Sequence, residues 1–231
     1  MCIRDSDPSG VPQIAYLFNT TAGSTFNFYA RQNGTASAPW GVLEGIGTSS
    51  SSDPIDWMSF AANAKTTAAA YMDGAGNLYY ATRTVGWHSQ LVDTWGLPCC
   101  ITNPYTENPV SLALNAAGYP RIAYGAISGN NDGTNVAFFD GSSWAFLPLN
   151  QVPSTAEPLD YLNRVAIASD QADAEHVLFL KGLGTAVPEL IYDRVSGVNT
   201  PPGSDVTVSL PDTGKYGAPI TVNFAQVTTA G

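Results

Sequence analysis

Residues 110–124 read Val110-Ser-Leu-Ala-Leu114, Asn115-Ala-Ala-Gly-Tyr-Pro120, Arg121-Ile-Ala-Tyr124. Two short runs of aliphatic and aromatic residues flank a six-residue cluster of Asn, Gly and Pro, which is the pattern of two antiparallel strands joined by a tight turn. After a polar gap come Val136-Ala-Phe-Phe139, the turn Asp140-Gly-Ser-Ser143, and Trp144-Ala-Phe-Leu147. The block therefore predicts four consecutive strands.

The block recurs. Ile14-Ala15-Tyr16, Ala69-Ala70-Tyr71, Ile122-Ala123-Tyr124 and Val177-Leu178-Phe179 occupy one position, with aromatic residues 55, 53 and 55 residues apart. The third segment recurs as Phe26–Tyr29, Leu78–Ala81, Val136–Phe139 and Leu190–Tyr192. Tryptophan opens the fourth segment at Trp40, Trp87 and Trp144; the last copy has Val206-Thr-Val-Ser209 there instead. No segment carries a sustained helical period with caps. Repeats of about 54 residues, each one supersecondary unit, must bury their apolar faces against one another. Four short strands per unit, arranged radially, make a β-propeller. The expected fold is all-β: about four four-stranded blades, a piece of a six- to eight-bladed propeller, with a closed four-bladed form as the other reading. The blades fall at about 7–56, 57–109, 110–162 and 163–219, with 220–231 starting or closing a blade.

Bulk composition narrows the function. Only 12% of the 231 residues are charged, and 19 Asp and Glu against 9 Lys and Arg give a net charge of −10. A nucleic-acid binder needs a basic stripe to neutralise phosphates, and the nine basic residues are scattered. Nucleic acid is therefore not expected as a partner. No apolar run reaches the length of a transmembrane helix. A surface made polar by Ser, Thr, Asn and Gln suits an exported protein: secreted, periplasmic or on a bacterial cell surface.

The start, Met1-Cys2-Ile3-Arg4-Asp5-Ser6, resembles a translated sequencing-adapter leader of the kind found on metagenomic gene calls. Residues 1–6 are on that resemblance not native. The blades resemble a bacterial exported propeller family of sialidase-like shape, on the match of Ser111 to Tyr124, Leu78 to Ala81 and Asp140-Gly141-Ser-Ser-Trp144. The family's blade carries a His before Ile-Ala-Tyr; here only His176 keeps it, with Gln13, Ala68 and Arg121 in the other copies. The resemblance implies a propeller and no particular reaction. The sialidase Asp box is absent, because Asp140 adjoins Gly141.

Function on a rigid scaffold concentrates in long loops. The expected site is the face carrying the long loops between second and third strands and between blades. Asp56, Glu107 and Asp160 recur just before the expected innermost strands and would ring a central channel. They are the candidate carboxylates for sugar chemistry or for a calcium ion, the one cofactor considered; capping or solvation is the competing reading. Trp57, Trp95, Asn103, Tyr105, Asp132 and Tyr161 are the candidate ligand-binding residues. Cys99 and Cys100 are adjacent thiols, half of a bridge, or a vicinal disulfide stiffening a loop. His88 reads as a surface residue and His176 as a structural one; no zinc pair exists. Two functions follow: a scaffold binding carbohydrate or protein without catalysis, and a glycoside hydrolase of sialidase-like shape.

Overall fold

A computed structural model describes residues 2–6, 11–19, 25–31, 40–41, 43–47, 55–73, 76–94, 110–126, 133–151, 165–170, 173–181, 189–196, 203–210 and 220–227. Every element among them is a β-strand, and every pairing is antiparallel.

The first sheet orders β1 (Cys2–Ser6), β2 (Pro12–Asn19), β3 (Thr25–Arg31) and β4 (Glu44–Gly47). The second holds β5 (Ile55–Ala62), β6 (Thr67–Asp73), β7 (Asn77–Arg83) and β8 (Trp87–Thr94). The third holds β9 (Val110–Leu114), β10 (Pro120–Ala126), β11 (Gly133–Phe139) and β12 (Trp144–Gln151). In each, chain order equals spatial order, as the repeat predicts. The fourth has three strands: β13 (Val165–Ser169), β14 (Ala174–Lys181) and β15 (Glu189–Ser196).

One expectation fails here. Val206–Ser209 lies in a strand, β16 (Gly203–Leu210), but this strand pairs with β17 (Ile220–Val227) and not with β15. The connection from β15 lacks the Asp-Gly turn that joins β11 to β12. It carries Pro201 and Pro202 instead, neither of which can donate to a ladder. A second correction concerns the third strand. Pairing sets Tyr29 opposite Ala15, Tyr80 opposite Ala70, Val136 opposite Ala123 and Tyr192 opposite Leu178. The four residues share one station, so that relative to Val136 the other copies stand two or three places from the alignment that composition suggests.

Burial explains the sequence pattern. In β6, Ala68 to Asp73 are all buried, because sheets cover both of its faces. In β13 burial alternates, with Val165 and Ile167 inward and Ala166 and Ala168 exposed; such alternation marks a strand covered on one face. The core comprises three seams between consecutive sheets. Tyr29, Ile46, Met58, Phe60, Ala69 and Tyr71 fill the first. Ala70, Met72, Leu78, Leu112, Ile122 and Tyr124 fill the second. Ala123, Val136, Val165, Ile167, Val177 and Phe179 fill the third. The repeating aromatic residue of the second strand thus fills the seam behind its own sheet.

Each third-to-fourth strand ladder slips by one residue, in front of Phe28, Tyr79 and Asn135. The extra residues are Ile46, Val92 and Leu149, and each packs into the seam toward the following sheet. A bulge gives the local turn that lets an outer strand aim this side chain inward.

Candidate functional site

Side chains of one sheet repeatedly clasp the next. Ser59 Oγ accepts the Leu112 N–H at 2.9 Å, and Ser111 Oγ, at the equivalent place, accepts the Ile167 N–H at 3.1 Å. These serines supply acceptors for first-strand amides that no ladder partner reaches. Asn63 Nδ2 donates to the Asn115 carbonyl at 2.9 Å, and Asn115 Nδ2 donates to Asp173 Oδ2 at 3.1 Å. Thr67 Oγ1 donates to Gln13 Oε1 across 54 residues, and Arg121 Nε donates to Glu175 Oε1 across the same interval. Trp87 stands edge-on to Tyr29, with centroids 5.3 Å apart, and Trp144 stands edge-on to Tyr80 at 5.6 Å.

Two ion pairs cross these seams, Arg83 with Glu44 and Arg121 with Glu175. Arg83 forms a fork on Glu44, at 2.8 and 2.7 Å. That hydrogen bond holds the Glu44 carboxyl below its ordinary range. Glu175 is buried, with one oxygen on Arg121 and the other accepting from Ser169 Oγ at 2.6 Å. Burial outweighs these partners and raises its pKa. Arg121 also donates to the Phe139 carbonyl at 2.8 Å. His176 contacts the Tyr192 hydroxyl and Asp170, so it is engaged in its own sheet.

Turn chemistry is equally regular. Asn63, Asn115 and Asp170 each accept backbone N–H groups of the first hairpin through their side-chain oxygen. Asp140 accepts the Ser143 and Ser142 N–H groups, which drives its carboxyl far below the ordinary range although it stands in solvent. Gly118 adopts φ +88°, and a Cβ there would meet Thr66 Oγ1 at 2.6 Å and Lys65 Cβ at 2.8 Å in the preceding sheet.

Among the described residues, clefts open along each of the three seams. One of about 340 Å³ lies between the second and third sheets at their hairpin edge, lined by Thr66, Tyr80, Thr82, His88, Gln90 and Tyr119 among others. Tyr119 is its exposed aromatic wall, set edge-on to Phe139. A second, of about 230 Å³, lies between the third and fourth sheets and is lined by Arg121, Asp140, Asp173 and Glu175. The third, of about 400 Å³, lies between the first and second sheets beside Ile46, Tyr71, Tyr79 and Trp87.

Of the sequence-predicted site residues, Asp56 and Trp57 lie among the described residues, and Trp57 lines none of these clefts. Asp56 lies inside β5, not before it, and occupies the slip between Ile55 and Trp57. Trp57 is partly buried and packs against the second seam. Glu107, Asp160, Trp95, Asn103, Tyr105, Asp132, Tyr161, Cys99 and Cys100 lie outside the described residues, as do the long loops that carry them. His88 is exposed and lines the first cleft. Tyr119 and Gln90 were missed, because short hairpin turns and outer strands read as structural; the signal was an aromatic residue inside a polar turn. No group of three or more His, Cys, Asp or Glu side chains able to hold a metal forms among the described residues. No helix is long and apolar enough to cross a membrane.

No protein-family model matches the chain, and no curated protein matches it. The sialidase-like resemblance therefore rests on the blade motifs alone.

Proposed function

We propose that these sheets are blades of a β-propeller that serves as an exported, non-catalytic scaffold for neutral carbohydrate. The radial arrangement is supported by the first strands, since β5 contacts β9 and β9 contacts β13. The observation that carries the ligand assignment is the cleft walled by Tyr119. Pockets for small ligands combine apolar walls with a few placed polar groups. Here Tyr80, Tyr119 and Phe139 supply the aromatic surface, and Thr66, Thr82, His88, Ser89 and Gln90 supply donors and acceptors. That mixture suits a sugar ring, which offers C–H groups on its face and hydroxyls on its edge. The scaffold reading draws on the clasps: Arg83 on Glu44, Arg121 on Glu175 and Asn115 on Asp173 hold sheet to sheet. The net charge of −10 favours a neutral ligand over an anionic one.

The test is calorimetric titration of the chain with neutral oligosaccharides, repeated on Gln90→Ala and Tyr119→Ala. We expect at least a ten-fold loss of affinity in both variants and no cleavage of the bound glycan. Unchanged affinity in both, or release of shortened glycan, overturns the reading. Gln90 lies on an outer strand, so its variant keeps the test valid should Tyr119→Ala fold poorly.

A further inference from the structure

The fourth sheet leaves uncovered a face that its counterparts bury. At the second-strand station Ala15, Ala70 and Ala123 are each 0% exposed, whereas Leu178 is 42% exposed. At the third-strand station Tyr29, Tyr80 and Val136 are at most 5% exposed, whereas Tyr192 is 54% exposed. One further station matches: Leu78 and Thr134 are 0% exposed, against 68% for Leu190. Leu178, Leu190 and Tyr192 form a contiguous apolar patch, because Leu178 pairs with Tyr192 and Leu180 with Leu190. At the earlier seams the covering element is always the next sheet.

The first sheet carries the complementary half. The station of Ile14 is held by Ala69, Ile122 and Val177 in the other sheets, and those three are 0% exposed. Ile14 itself is only partly buried. One chain thus presents both halves of a seam at opposite ends of its stack.

We propose that the fourth sheet of one copy docks on the first sheet of a second copy, forming a head-to-tail seam of the same kind as the three within the chain. The inference rests on the radial stacking proposed above. Counting the first four sheets of each copy and leaving its β16–β17 pair out of the count, two copies with both seams formed would close a ring of about eight blades, the upper end of the usual range. The interface is heterologous: the two surfaces differ, so each copy uses both once. Large aliphatic and aromatic side chains at stations otherwise held by alanine, tyrosine and valine give the seam its own shape, which favours pairing between copies over slippage to an internal seam.

The experiment measures the mass of the full chain by light scattering after gel filtration, alone and as Leu190→Glu and Ile14→Glu variants. Both substitutions lie on partly or fully exposed positions, and circular dichroism confirms that each variant retains its strands. The expected result is a dimer for the unmodified chain and a monomer for each variant. Mixing the two variants should then restore a dimer through a single seam, because each supplies the surface that the other has lost. A monomeric unmodified chain overturns the proposal, whether its free face is open or closed on its own first sheet. A dimer unaffected by Ile14→Glu also overturns it, since that result means like faces pair. An open ladder of oligomers that both variants abolish overturns the closed ring and the radial stack beneath it, while the face-to-face pairing stands.

Discussion

The Tyr124 hydroxyl donates a 2.6 Å hydrogen bond to Asp93 Oδ2 across the seam between the second and third sheets. Tyr124 is buried on β10, and Asp93 sits one residue past the bulge on β8. Burial first, and the Asp93 carboxylate second, push the phenol well above its ordinary pKa. The equivalent residue of the fourth sheet is Phe179, so the station accepts a ring without the hydroxyl. Tyr124→Phe should therefore fold with its ring in place. It should lose about 1–3 kcal/mol, the range of a hydrogen bond to a charged partner. Urea unfolding followed by tryptophan fluorescence measures this.

Ser59 and Ser111 form a matched pair of clasps. Replacing either with Ala leaves a backbone N–H of the neighbouring first strand without its acceptor. Each variant should cost about 1–3 kcal/mol. The two losses should add, since the residues belong to different seams with separate partners. A double variant measured in the same denaturant series shows whether they do.

Two carboxylates on different seams should respond to pH with opposite sign. The pKa of Glu44 is lowered in the fold by its Arg83 fork. Its contribution is present above the unfolded value and disappears as pH falls through the folded one. Glu44→Gln should thus cost stability at neutral pH, by no more than about 1 kcal/mol for so exposed a pair, and nothing in strong acid. The pKa of Glu175 is raised by burial above the ordinary 4.5. Its contribution is present below the unfolded value and is lost as pH rises through the folded one. Relative to the unmodified chain, Glu175→Gln should therefore become more favourable as pH rises from acid toward neutrality. Thermal unfolding across that range tests both signs.

Gly118 is required by its backbone and its neighbour together. Its φ of +88° is left-handed, and Thr66 and Lys65 fill the space where a Cβ would stand. Gly118→Ala should destabilise by about 1–3 kcal/mol. Gly45 has open space around it, so Gly45→Ala should fall within about 0.5 kcal/mol of the unmodified chain. Chemical denaturation of the pair isolates the effect.

The sequence made the strands legible because two signals coincide in it. The aromatic residue at Tyr71, Tyr124 and Phe179 repeats at nearly constant intervals, and Asn63, Asn115 and Asp170 cap the first hairpin of their sheets. The seams were not legible. Arg121 and Glu175 are 54 residues apart, and nothing local to either shows that they meet. The bulges were hidden too, because Ile46, Val92 and Leu149 sit in apolar runs where one extra residue leaves the composition unchanged. The fourth strand of the last copy failed for the opposite reason. Val206-Thr-Val-Ser209 has strand composition, but composition does not choose a pairing partner. For the site, the sequence pointed to long loops that lie outside the described residues; the cleft walled by Tyr119, on which the proposed function rests, is built from turn and strand residues of two sheets that only stacking brings together.

The radial stack is tested most directly by spin-label distances at three equivalent outer-strand stations, Gly45, Leu91 and Pro148. All three are exposed, and each immediately precedes or follows the bulge residue of its sheet. Pulsed electron resonance on the three double-cysteine variants, made in a chain whose Cys2, Cys99 and Cys100 are replaced by serine, gives the sides of a triangle. Sheets fanned about a common axis predict a Gly45–Pro148 distance clearly shorter than the sum of the Gly45–Leu91 and Leu91–Pro148 distances. A Gly45–Pro148 distance equal to that sum would mean a straight pile of sheets and would contradict the account.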